Sequence, residues 1–68
     1  VNTVEGVIES FDDLRGDGFF RSDHGELLYF HCVAIADGSR TIAENIRARG
    51  RRATGHLGSD ELVDVAAS

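Results

Sequence analysis

Six consecutive residues, Leu27-Leu28-Tyr29-Phe30-His31-Cys32, constrain this chain more than any other feature. Successive side chains of a strand point to opposite faces. Leu28 and Phe30 therefore share one face, and Tyr29 and His31 share the other. An apolar face backed by a polar, aromatic one is the pattern of a half-buried strand. The rest of the chain repeats it in short pieces. There are eight glycines and no proline, and turn signals divide the sequence into segments of strand length. The strands are read as Val4–Phe11, Gly18–Ser22, Leu27–Cys32, Ile46–Thr54 and Glu61–Ala66. Gly16 and Gly18 bracket the first turn, and Asp23-His24-Gly25 makes the second.

The segment from Thr41 to Thr54 supports two readings. Thr41-Ile42-Ala43-Glu44 fits a helix capping box, and Ile42 and Ile46 are spaced for one helix face. The residues Arg47-Ala48-Arg49-Gly50-Arg51 instead alternate small and charged side chains, as an exposed strand does. A turn near Ile42 followed by a strand is the reading adopted. Gly55-His56-Leu57-Gly58 then forms the loop into the last strand. No internal repeat or low-complexity segment is present.

Five short strands in 68 residues leave few architectures. Closing them into a barrel removes the sheet edges that otherwise invite aggregation. The expected fold is all-β, a single domain forming a small five-stranded, OB-like antiparallel β-barrel. Its expected core is Ile8, Phe20, Leu28, Phe30, Ile35, Ile46, Val63 and Val65. So small a domain is stabilised by little more than that core. Its single cysteine, Cys32, closes no internal disulfide, which points to a reducing, cytoplasmic setting. No apolar run is long enough to span a bilayer, and the first ten residues do not read as a signal peptide.

The net charge of -5 argues against nucleic acid as a partner, because phosphates need cations. The charge is unevenly distributed, however. Residues 1–37 carry -6, residues 38–52 carry +4, and the remainder carries -3. All seven basic residues are arginines. Five of them, Arg40, Arg47, Arg49, Arg51 and Arg52, lie in the basic segment. They fit either phosphate contacts or an ordinary solvated face.

Phe19, Tyr29 and His31 fall on the outward face of neighbouring strands. Exposed aromatic rings cost solubility, and three on one patch call for a ligand or a covering partner. Every nucleobase has a π-face, so such a patch can stack bases of any sequence.

The segment Gly6-Val7-Ile8-Glu9-Ser10-Phe11-Asp12-Asp13-Leu14-Arg15-Gly16-Asp17-Gly18-Phe19-Phe20 resembles the opening of bacterial cold-shock proteins. Their usual pattern is Gly-x-Val-Lys-Trp-Phe-Asn-x-x-Lys-Gly-Phe-Gly-Phe-Ile. Leu28-Tyr29-Phe30-His31-Cys32-Val33-Ala34-Ile35 resembles their second motif, usually Val-Phe-Val-His-Phe-Ser-Ala-Ile. The resemblance continues through Asp37-Gly38-Ser39-Arg40-Thr41-Ile42. It implies an OB-like barrel that binds single-stranded RNA or DNA without a cofactor, acting as an RNA chaperone or a regulator of transcription or translation. On that resemblance Phe11, Phe19, Tyr29 and His31 match binding-face rings, and Arg15 matches a phosphate-facing lysine. Arg40 is a further candidate phosphate contact. The departures lie on the same face. Ser10 replaces tryptophan, Asp17 and Cys32 replace phenylalanines, and Ser39 stands where another ring is frequent. Glu9 and Asp12 replace lysine and asparagine, and Val7 stands where a further lysine is common. The expectation is therefore a cold-shock-type fold with weakened or narrowed nucleic-acid affinity, working as a monomer or weak dimer.

Enzymatic chemistry finds little support. Catalysis by a nucleophile needs a base within reach of it. His31 and Cys32, adjacent in one strand, are expected to point to opposite faces. His24, His31, Cys32 and His56 do not match zinc-site spacing, and Asp12-Asp13 reads as a pair of turn residues. No metal, cofactor, small-molecule substrate or membrane is expected. The competing reading is a protein-interaction module. In it Leu14, Tyr29, Leu57 and Leu62 form a partner surface, and the acidic side mimics nucleic acid.

Overall fold

The alternating segments pair as five strands in a computed structural model that describes residues 3–54 and 60–68. They are β1 (Thr3–Asp12), β2 (Asp17–Ser22), β3 (Leu27–His31), β4 (Arg47–Thr54) and β5 (Asp60–Ala67). They close into a barrel in the order β1-β2-β3-β5-β4, with β4 returning to pair with β1. Four of the five pairings are antiparallel. The fifth, between β3 and β5, is parallel, so the sheet is mixed where an antiparallel one was expected. This follows from the connections. A long segment after β3 delivers β4 antiparallel to β1, and the β4–β5 pair then brings β5 back along the direction of β3. The expected loop at residues 55–58 lies outside the described residues. Among the described residues, no helix is long and apolar enough to cross a membrane.

The core is built from the inward positions of every strand. Ile8, Phe20, Leu28, Phe30, Ile35, Ala48, Leu62 and Val65 are buried. Ile46 is half-buried against them. Val63 is not among the buried residues, and Leu62 takes the place expected for it. The cause is a bulge. Between the pairs Arg49–Ala66 and Arg51–Val63, one residue of β4 faces two of β5. Asp64 absorbs the extra residue at φ 54°, a left-handed conformation that aspartate tolerates better than most. The bulge shifts the alternation by one, so Leu62 and Val65 both point inward. Leu62 is fully buried and so is unavailable for the partner surface described above. Gly50 explains how it fits. A Cβ at that position would come within 2.6 Å of Leu62 Cγ, so the absent side chain on β4 is the space the leucine fills.

A second bulge reshapes β1. Ile8 pairs with Phe20 and Ser10 pairs with Phe19, leaving Glu9 as the extra residue. Ser10 therefore lies across from Phe19, while Phe11, opposite Gly18, turns toward the interior. The segment 41–44 is not helical; Glu44 and Asn45 form a turn, with Asn45 at φ 65°. The Glu44 carboxylate instead accepts the backbone N–H of Phe11 at 2.9 Å. It substitutes for strand pairing where β4, which begins at Arg47, does not reach. Thr41 donates its hydroxyl to Asp13 at 2.8 Å, tying the same segment to the β1–β2 turn.

Candidate nucleic-acid interface

The outward positions of β2 and β3 meet in register. Phe19 is paired with Tyr29, and Asp17 with His31. The rings of Phe19 and Tyr29 lie edge to face, with centroids 5.8 Å apart and planes at 71°. Phe19 is 37 % exposed, high for a phenylalanine, while Tyr29 is half-buried and His31 exposed. Three of the expected site residues are thus brought onto one patch. Ser10 extends the row onto β1 without adding a ring.

Phe11 stands apart from these rings. It stacks on buried Phe30, with centroids 5.8 Å apart and planes at 10°, and it packs against the core. The Glu9 bulge is the reason. It reverses the phase of β1 after Ile8, so Phe11 forms the rim of the core rather than part of the open patch.

Asp17 is the electrostatic centre of the patch. Arg15 Nη2 lies 3.0 Å from Oδ1 of Asp17 and donates to Oδ2 at 3.1 Å. The Tyr29 hydroxyl donates to the same Oδ2 at 3.1 Å. The Arg15 hydrogen bond holds the Asp17 carboxyl below the usual carboxylate range, and the Tyr29 hydroxyl adds to this. Burial, and then the carboxylate, push the Tyr29 phenol above its ordinary value. Arg15, one of the cations expected to face phosphates, is therefore already bound to an anion of the same site.

Four of the other six arginines are paired in the same way. Arg47 pairs with Asp23 and approaches Glu5, Arg51 pairs with Asp64, Arg52 pairs with Glu26 and Asp60, and Arg21 pairs with Glu9. Among the described residues, only Arg40 and Arg49 lack an acidic partner. In the strand order, β4 borders β1 and β5 but neither β2 nor β3, so its arginines lie around the barrel from the aromatic pair. Arg40 is exposed in the loop before β4, at φ 60°, next to the Thr41 that is bonded to Asp13. These ion pairs join residues 8 to 42 apart in sequence, from Arg52 with Asp60 to Arg47 with Glu5. No local pattern announces them.

His31 and Cys32 also differ from expectation. β3 ends at His31, and Cys32 opens a 3₁₀ turn through Ala34, so strand alternation no longer separates the two side chains. Cys32 Sγ lies 3.8 Å from His31 Nδ1. Its backbone N–H donates to Gly16 O at 2.7 Å, locking this turn against the β1–β2 turn. Of the residues expected for a partner surface, Leu14 is 99 % exposed. Leu57 lies outside the described residues. Among the described residues, no group of three or more His, Cys, Asp or Glu side chains is placed to hold a metal ion.

Beside the aromatic pair, a groove of about 460 Å³ runs along the end of β1 and the turn after it. Asp12, Asp13, Asp17 and Glu44 line it together with Arg15, and Phe11 and Phe19 stand at its walls. No protein-family model matches the chain, and no curated protein matches it.

Proposed function

We propose that this barrel binds single-stranded nucleic acid by stacking bases on Phe19 and Tyr29. One observation carries the reading. The two rings are direct cross-strand partners on the outward side of a closed sheet, 5.8 Å apart. Base–aromatic stacking contributes roughly 1–3 kcal/mol per base and requires an unpaired base. The resemblance to cold-shock proteins supports the same reading and its cytoplasmic, cofactor-free setting, as an RNA chaperone or regulator. Affinity is modest, because two rings remain on the patch and Arg15 is engaged by Asp17.

Electrostatics sets a further property. Each phosphate contact on a single strand contributes about 0.7 to the slope of log affinity against log salt. With Arg15, Arg21, Arg47, Arg51 and Arg52 ion-paired, the slope is expected not to exceed that of two contacts, about 1.4. The test is a titration of a labelled hexanucleotide and its duplex at several salt concentrations. Tighter binding of the single strand with a shallow slope supports stacking. Equal affinity for the two forms contradicts it. Asp12, Asp13 and Glu44 of the groove, none of them paired with an arginine among the described residues, favour a second reading, a docking site for a basic protein segment. An arginine-rich peptide titrated in the same assay separates the two; tight peptide binding without oligonucleotide binding favours the second.

A further inference from the structure

Arg15 projects from a turn whose backbone is fixed. Asp12 Oδ1 accepts the backbone N–H groups of Leu14 at 2.9 Å and Arg15 at 3.1 Å. The Gly16 N–H donates to Asp12 O at 2.7 Å, and Gly16 O accepts the N–H of Cys32 at 2.7 Å. The turn is thus tied to itself and to the segment after β3, and only the side chain of Arg15 is left to select a partner. That partner is Asp17. One nitrogen, Nη2, contacts both carboxylate oxygens, at 3.0 and 3.1 Å. Among the described residues, no other acid lies within ion-pair distance of Arg15.

The two partners differ in freedom. The side chain of Arg15 is 68 % exposed and that of Asp17 is 15 % exposed. Asp17 is also held by the Tyr29 hydroxyl, which donates to Oδ2 at 3.1 Å. The carboxylate is therefore the fixed partner and the guanidinium the movable one. A guanidinium recognises carboxylate and phosphate through the same planar fork of donors, so the two anions compete for it. The internal anion acts at a high effective concentration, because it is part of the same chain. The competition takes place at the stacking patch. Asp17 and Phe19 are successive outward positions of β2, and Tyr29 both pairs with Phe19 and bonds Asp17.

Resting on the stacking reading above, we infer that Asp17 is an autoinhibitory residue that withholds Arg15 from the phosphates of a single strand. The rings bind bases while Arg15 stays on the carboxylate, and removing that charge adds one backbone contact to the same site.

The experiment follows labelled hexathymidine by fluorescence anisotropy, for the unmodified protein and three variants. Asp17→Asn removes the charge and keeps an oxygen for the Tyr29 hydroxyl, so the ring keeps its place. Asp13→Asn removes one charge from the same groove without releasing Arg15. Asp17→Asn/Arg15→Gln takes the freed cation away again. One phosphate contact adds about 0.7 to the slope of log affinity against log salt, which amounts to about eightfold between about 1 M and about 50 mM salt. Asp17→Asn is expected to bind about eightfold tighter at the low end, with little gain at the high end and a slope steeper by about 0.7. Asp13→Asn should gain less and keep the original slope, and the double variant should lose the added slope. Thermal unfolding checks each fold, and Asp17→Ser, which removes the same charge, serves if the asparagine variant does not fold. A gain in Asp17→Asn no larger than that in Asp13→Asn overturns the inference and leaves stacking intact, because charge alone then accounts for both. A steeper slope that persists in the double variant overturns the assignment to Arg15. No binding of hexathymidine to any of these proteins overturns the stacking reading itself, and this inference with it.

Discussion

Replacing Ser10 by tryptophan tests the geometry of the patch from a position that carries no ring. Ser10 is the cross-strand partner of Phe19, which is in turn the partner of Tyr29, so a ring at Ser10 extends the row across three strands. Neighbouring strands are about 4.8 Å apart, close enough for successive bases to find successive rings. Each stacked base contributes roughly 1–3 kcal/mol. The low end is expected, because Asp17 remains beside the ligand. About 1 kcal/mol corresponds to a roughly fivefold lower Kd. The folded state should tolerate the change, since aromatic cross-strand pairs on a sheet face contribute roughly 0.2–1 kcal/mol favourably. The chain has no other tryptophan, so the new side chain is its own reporter. Titration of the Ser10→Trp variant with a single-stranded hexamer should quench or shift its emission and give the lower Kd. An emission spectrum indifferent to oligonucleotide, with unchanged affinity in a labelled-ligand assay, would refute the placement of Ser10 beside a binding row.

The other predictions concern the division between core and surface. Phe30 is fully buried and Phe19 is 37 % exposed. Phe30→Ala should cost about 3–5 kcal/mol, enough to unfold most molecules of so small a domain. Phe19→Ala should cost about 1 kcal/mol of folding stability, from the lost edge-to-face pair, while weakening oligonucleotide binding. Thermal unfolding and anisotropy separate the two, and the reverse pattern would invert the assigned faces. Gly50→Ala should destabilise by about 1–3 kcal/mol, because the new Cβ meets Leu62 at 2.6 Å; an unchanged melting temperature would contradict that packing. Asp17, Asp23 and Glu26 are held below their ordinary values by Arg15, Arg47 and Arg52 respectively. A carboxylate lowered on folding stabilises the fold above its ordinary value, here 3.8 for Asp and 4.5 for Glu, and that contribution is lost as pH falls through the folded value. The melting temperature should therefore drop as the pH falls below this range, and a constant value down to about pH 2 would show that the ion pairs contribute nothing.

The sequence made the strands and most of the core legible because period-two alternation is a local signal. Ile8, Phe20, Leu28, Phe30 and Val65 follow directly from it. It was lost at two bulges, where one extra residue reverses every face that follows. Glu9 turned Phe11 inward onto Phe30, and Asp64 exchanged Val63 for Leu62. Nothing local marks Glu9. The weak core supply on β4 was a clue to Leu62, since Ala48 and Gly50 leave room that a facing side chain must fill. At the site, the pairing of Phe19 with Tyr29 was legible because both are outward positions on adjacent strands. The sequestering of arginines was not, because Arg47 meets Asp23 and Arg52 meets Glu26 only once the barrel closes.

The central claim is that bases sit on Phe19 and Tyr29, and ring-proton chemical shifts test it most directly. The chain has four phenylalanines and one tyrosine, so the aromatic spectrum is simple to assign. A base stacked on a ring shifts that ring's protons upfield. On titration with a single-stranded hexamer, Phe19 and Tyr29 should move upfield while buried Phe20 and Phe30 stay in place. Shifts confined to the arginines of β4, or none at the rings when the oligonucleotide is in large excess, would contradict it.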